Sequence, residues 1–377
     1  MRPTVPSVPV PVPASVSVAA PASTAAGRPG AGRRWRPLVA ALLLSAAAVG
    51  AAGPGPSALA MPAPPAAGPA CPQSGAPSDG PHDSWATAAP MPTARLESAA
   101  TTGCDGTVYV LGGIAPTSQP GVVGDTDAAE AYGPGDGAWR ALAPLPTSRA
   151  GLAAATVADG RILAIGGNAS GACAEVEAYS PRSGGWEAFA PLPVPVAVAR
   201  AATDAAGNVY VFDRATTEIY DAGLKAWRAG PAMPTPRIAA AVATGADGRI
   251  YVAGGYPADR AGAGPVDTVE VYTPATGRWS GAAPLPGPTG QGAGATARDG
   301  RIFVFGGYPD AGAVPGATTY VYTPATDGWA VAADLPQART SLTAALGPDG
   351  RIYVIGGDPG DASAVPGPVD RVDVYTP

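Results

Sequence analysis

Six times between residues 83 and 377 the chain passes from small residues through a tight turn into a short, strongly apolar run. Five of these runs close on a glycine pair: YVLGG at Gly112 and Gly113, LAIGG at Gly166 and Gly167, YVAGG at Gly254 and Gly255, FVFGG at Gly306 and Gly307, and YVIGG at Gly356 and Gly357. In the third copy the run is YVF, and Phe212-Asp213 replaces the glycines. Apolar runs this short, bounded by glycine, have the length of strands and not of helices. Each is preceded by a turn signal: Asp105-Gly106, Asp159-Gly160, Gly207-Asn208, Asp247-Gly248, Asp299-Gly300 and Asp349-Gly350. Asp-Gly between two strand-like runs predicts a hairpin with a two-residue type I′ turn.

Downstream of the first five runs stands a Tyr followed seven residues later by a Trp: Tyr132/Trp139, Tyr179/Trp186, Tyr220/Trp227, Tyr272/Trp279 and Tyr322/Trp329. Pro-x-Pro punctuation separates the copies at Pro90 to Pro92, Pro144 to Pro146, Pro191 to Pro193 and Pro284 to Pro286, with a looser Pro231 to Pro234. Proline cannot donate to a ladder, so these points lie outside the strands. A unit therefore reads as strand a of small residues, a turn, apolar strand b, a variable loop, strand c with Tyr, a short turn, and strand d with Trp. Four strands at a period of roughly 40–54 residues match one blade of a β-propeller, with the small residues innermost where the blades converge.

Gly-Gly after strand b, the spaced Tyr and Trp, and Arg near strand a resemble the kelch motif, over about residues 83–377. The resemblance implies an all-β, six-bladed kelch-type β-propeller. The sixth copy has Tyr375 but no Trp after it, and Trp85 stands before the first copy with no Tyr. The segment around Trp85 is expected to complete the blade of Tyr375, closing the ring and removing a free strand edge.

Composition changes the picture only outside the repeats. Residues 1–60 begin with a Pro-rich stretch carrying five arginines and no acid, followed by the uncharged run of residues 38–52 and Ser57-Ala58-Leu59-Ala60. This order is that of a signal peptide with a small-residue cleavage site, so a secreted protein is expected. Fifteen apolar residues make about 22 Å of helix, short of the roughly 30 Å hydrocarbon core. The alternative is an uncleaved signal anchor at residues 38–52, with the propeller outside. Residues 61–82 read as a Pro/Gly/Ala-rich linker. Losing the five leader arginines would deepen a net charge of −6, and Lys225 is the only lysine, so nucleic acid is not an expected partner. Three cysteines, Cys71, Cys104 and Cys173, leave the pairing open. Asn168-Ala169-Ser170 fits a glycosylation sequon.

The candidate chemistry is narrow. Some kelch-like propellers resemble galactose oxidase in holding copper with two histidines, whereas this chain has one histidine, His82, in the linker. No metal site, cofactor or histidine-dependent nucleophile is expected. What remains is arginine and carboxylate. Arg95, Arg149, Arg237 and Arg339 stand three residues after the punctuating proline, at the start of strand a. They are candidates to ring one opening of the channel as an anion or glycan-carboxylate receptor. A competing assignment pairs each with an acid two residues before the blade Tyr: Glu130, Glu177, Glu270 and Asp373. The third copy keeps Glu218 but has Pro195 in the arginine register, with Arg200 further along; the fifth has Thr289 and Tyr320. Such matched presence and absence favours pairs inside the blades. In the loops between strands b and c, Tyr256 and Tyr308 are candidates to stack on a sugar, beside Asp259, Arg260, Asp310, Asp358 and Asp361. The expected function is a monomeric, non-catalytic module binding a glycan or a protein through the face that carries the b–c loops. Two alternatives stay open: a carbohydrate-active enzyme resembling the sialic-acid mutarotases of this fold, and a structural subunit of an envelope assembly.

Overall fold

The strands that the repeat predicts are present, with antiparallel pairing throughout. The computed structural model describes residues 82–168, 171–311, 314–360 and 367–377. The leader, most of the linker, Cys71, Asp361 and two of the three sequon residues therefore lie outside the described residues. Among those described are six four-stranded sheets and two short two-stranded ribbons. Blade one comprises Ala99–Thr102, Val108–Leu111, Ala129–Gly133 and Ala138–Ala141 in the order a, b, c, d, and the next four blades repeat it. The sixth is built from Thr343–Leu346, Ile352–Ile355 and Val372–Thr376, and its outer strand is Ser84–Thr87. Trp85 pairs with Tyr375 in the register that Trp139 keeps with Tyr132. The six a strands touch one another in a closed cycle.

Three devices hold neighbouring blades together. Each b strand is buried on both faces, so its apolar run packs between two blades; Val108, Leu111, Ile162 and Ile352 are 0% exposed. At one end of the channel, threonines closing the a strands donate to the preceding blade: Thr156 to Thr102 O, Thr244 to Thr203 O and Thr296 to Thr244 O, at 2.8–3.0 Å. At the outer rim each Trp donates its indole N–H to a carbonyl of the preceding blade. Trp85 reaches Ala333, Trp139 Ala89, Trp186 Ala143, Trp227 Ala190, Trp279 Pro231 and Trp329 Ala283, all at 2.8–3.0 Å. Each blade Tyr packs its ring against the Trp of its own blade, with centroids 4.9–5.4 Å apart.

Two local expectations are corrected. The a–b connection is not a two-residue I′ turn, because only the glycine has positive φ (Gly106 at 77°, Gly248 at 74°). It is a wider turn organised by the aspartate: Asp247 accepts from Arg249 N through one oxygen and from the Tyr251 hydroxyl at 2.7 Å through the other. In the third blade the ladder places Asp213 and Arg214, not Phe212 and Asp213, where the other blades have Gly-Gly, and Arg214 takes the left-handed conformation at φ 56°. Cys104 is disulfide-bonded, and Cys173 is a free thiol.

Candidate functional site at the channel mouth

The four register arginines are consumed inside the blades. Arg95, Arg149, Arg237 and Arg339 have side chains 0% exposed and stand 2.6, 2.8, 2.8 and 2.5 Å from Glu130, Glu177, Glu270 and Asp373. Each guanidinium also donates to two carbonyls of its blade: Gly112 and Ala128, Gly166 and Glu175, Gly254 and Thr268, Gly356 and Arg371. With a carboxylate and two carbonyls replacing water, these side chains present nothing to a ligand, and the expectation that they ring the opening is corrected. Burial pushes Arg339 down to about 10, partly offset by Asp373, so it stays cationic at neutral pH. In the fifth blade the Thr289 hydroxyl donates to Gly306 O at 2.9 Å in place of the guanidinium. The residue in the arginine register of the third blade is Val196, not Pro195: Gly167 N bonds to Val196 O as Gly113 N bonds to Arg149 O.

Tyr256 and Tyr308 are not a stacking platform either. They are 5% and 9% exposed and pack with Ile238, Ala239 and Val198 in an apolar cluster on the b–c loop side. The Tyr256 ring lies over Gly290, where a Cβ would stand 2.2 Å from its Cε2, and its buried hydroxyl has no hydrogen-bond partner. Asp259 and Arg260 are exposed and face each other at 3.7 Å.

The structure draws attention instead to the residues that lead into the a strands. Glu97, Gly151, Ala239, Gln291 and Ser341 all have φ between 53° and 61°, a left-handed conformation that costs the four non-glycine residues about 1 kcal/mol or more each. Their backbones form a nearly continuous hydrogen-bonded belt around the mouth: Glu97 N to Ser341 O, Gly151 N to Glu97 O, Ala199 N to Gly151 O, Gln291 N to Ala239 O and Ser341 N to Gln291 O. Below the belt lies a cavity of about 80 Å³ lined by the a strands of all six blades, almost entirely by small or apolar side chains.

Arg200 is the charged side chain of that lining. It occupies the ladder position that Ala99, Ala153, Ala241, Ala293 and Thr343 hold in the other blades. Its guanidinium donates to Ala199 O at 2.9 Å, and among the described residues no carboxylate lies within ion-pair distance. Burial pushes the Arg200 guanidinium down, while Glu97 and Asp213 pull it back up. Burial raises the Glu97 carboxyl, Arg200 lowers it, and Asp125 of the first b–c loop raises it further. Both side chains lie deep in the molecule yet remain partly solvent-accessible through the channel. Glu97 had no sequence signal, because its position depends on a backbone conformation that no motif marks. Arg200 had one: an arginine in a row of alanines.

No curated protein matches the chain. The kelch motif model matches residues 237–286, which carry Arg237, Gly254, Gly255, Glu270, Tyr272 and Trp279 of the fourth blade. Among solved structures, that titled "Structure of YjhT" is similar with a TM-score of 0.59 at 17% identity, covering 76% of this chain and 97% of that one, a likeness of fold alone. Six sheets of one pattern, a closed cycle of inner strands and a matched motif in the fourth blade make this chain a six-bladed β-propeller of the kelch type.

Proposed function

We propose that this propeller is an exported binding module that holds a glycan or protein ligand over the channel mouth, on the face carrying the b–c loops. One observation carries the reading: Arg200 sits in the channel lining with no carboxylate of the described residues within ion-pair distance, while the other strand-a arginines are neutralised inside their blades. Burying this cation is costly, Glu97 and Asp213 offset the cost only in part, and a ligand anion would offset the rest. The cavity of about 80 Å³ admits a carboxylate or a few waters and no sugar ring. The body of the ligand therefore lies on the face and inserts one small anionic group. Support for export is the basic leader, its apolar run and its small-residue cleavage site. Among the described residues no helix is long and apolar enough to cross a membrane.

The test is a glycan and peptide array probed with the wild type and with Arg200→Ala, followed by titration of any retained ligand. A charge-assisted hydrogen bond lost at Arg200 lowers affinity about 10- to 100-fold. Equal affinity for both proteins refutes the reading. A second reading, acid–base chemistry on an anionic carbohydrate, is favoured by Glu97, whose carboxyl is raised by burial and which faces Arg200 in the same mouth. It predicts acceleration of anomeric exchange, followed by NMR, that Glu97→Gln abolishes while ligand binding persists.

A further inference from the structure

Comparing the six blades at one position exposes an unbalanced charge in the third. Four blades fill a slot beside strand c with a guanidinium held by a carboxylate and two carbonyls. The fifth has lost both members together, with Thr289 and Tyr320 in their places. The third has lost only the cation. Glu218 occupies the acid register, opposite Val211 as Glu130 is opposite Val110, and is 1% exposed. Its Oε2 has no hydrogen-bond partner. Val196 stands where the arginine would be, but its side chain stops at Cγ, where arginine continues through Cδ, Nε and Cζ to two Nη atoms. Val196 lies instead in the apolar cluster between the second and third blades, which includes Leu163, Ile165, Leu192, Val209 and Val211. A buried carboxylate with no ion-pair partner among the described residues, and with one oxygen lacking a hydrogen bond, is a costly arrangement.

We propose that the vacated arginine slot beside Glu218 binds a small monovalent cation, which takes the part that the tethered guanidinium plays in four sister blades. The charge balance is that of the sister blades, one positive against one negative. A divalent ion is disfavoured because calcium takes six to eight oxygen ligands, commonly several of them carboxylates, and magnesium dehydrates reluctantly. Burial holds the Glu218 carboxyl above its ordinary range. This inference stands apart from the channel mouth and does not depend on the ligand proposed there.

The test is thermal unfolding of the full chain at constant ionic strength and pH 7.5, with choline chloride replaced stepwise by sodium, potassium or low millimolar guanidinium chloride. Choline is too large for the slot. At least one of the three small cations is expected to raise the wild-type Tm by about 2 °C or more, through linkage of binding to the native state. Glu218→Gln abolishes that response. Val196→Arg supplies the cation covalently and also abolishes it; if this variant does not fold, the comparison with Glu218→Gln stands alone. Identical cation responses in wild type and Glu218→Gln, or no response in the wild type, overturn the proposal.

Discussion

At the residue scale, buried carboxylates in one register differ in whether an arginine faces them. Glu177 stands 2.8 Å from Arg149, so Arg149→Leu leaves it buried and unpaired. The expected loss is about 3–5 kcal/mol in denaturant unfolding, with partial recovery in the double variant carrying Glu177→Gln. Glu218 has no arginine, and its carboxyl is raised by burial. A carboxyl raised in the native state favours the protonated form, so the stability it permits is full below the ordinary carboxylate range and falls as pH rises through the displaced value. In choline buffer, Glu218→Gln is therefore expected to unfold at a higher temperature than wild type at pH 7.5, with the gap closing towards pH 4. A variant less stable than wild type at both pH values contradicts this. The pairs were legible in the sequence because arginine and acid come and go together across the copies. Val196 was misread by one position because Pro193-Val194-Pro195 offers two possible punctuation points, which the ladder alone distinguishes. The left-handed Glu97 was not legible, since only glycine advertises that conformation and here the belt of backbone hydrogen bonds imposes it.

At the scale of elements, a blade is held by what its strands present to the neighbours. The Trp of strand d gives its ring to its own Tyr and its N–H to the preceding blade's backbone, which explains why the Tyr-to-Trp spacing is invariant across five copies. Trp186→Phe keeps the aromatic packing and removes the donor to Ala143 O. A loss of about 1 kcal/mol is expected, measured by denaturant unfolding. A neutral result would mean that water replaces the indole. Strand order and register followed from the repeat, but turn type did not. Asp-Gly is compatible with more than one turn, and the aspartate's second oxygen accepts here from a Tyr hydroxyl of strand b in the first and fourth blades and from the Arg two residues on in the second and fifth. The third blade departs most, since its b–c connection is a short hairpin at Arg214 and Ala215 with none of the loop found elsewhere.

At the scale of the whole molecule, six copies close on themselves because Ser84–Thr87 completes the sheet of Val372–Thr376. Removing the chain up to Ala88 leaves the last strand with an unpaired edge and takes Trp85 from its contacts with Phe305 and Tyr375. Such a truncation is expected to broaden the unfolding transition and to aggregate on size exclusion, whereas a truncation ending at Ala60, which leaves this strand and all three cysteines in place, does neither. Ring closure was foreseen from two orphan residues nearly three hundred positions apart. The same face was expected to bind, but Glu97 and Arg200 were not singled out, because they lie outside the repeated motif, where six chain segments converge.

The account rests on a ligand seated over the channel mouth and anchored at Arg200. The most direct measurement is the affinity of an array-retained ligand for three proteins: wild type, Arg200→Ala, and Arg301→Ala on the opposite face, where the a–b turns lie. The account predicts that Arg200→Ala weakens binding about 10- to 100-fold and Arg301→Ala leaves it unchanged. Binding that survives the loss of Arg200 and fails on the loss of Arg301 would contradict it.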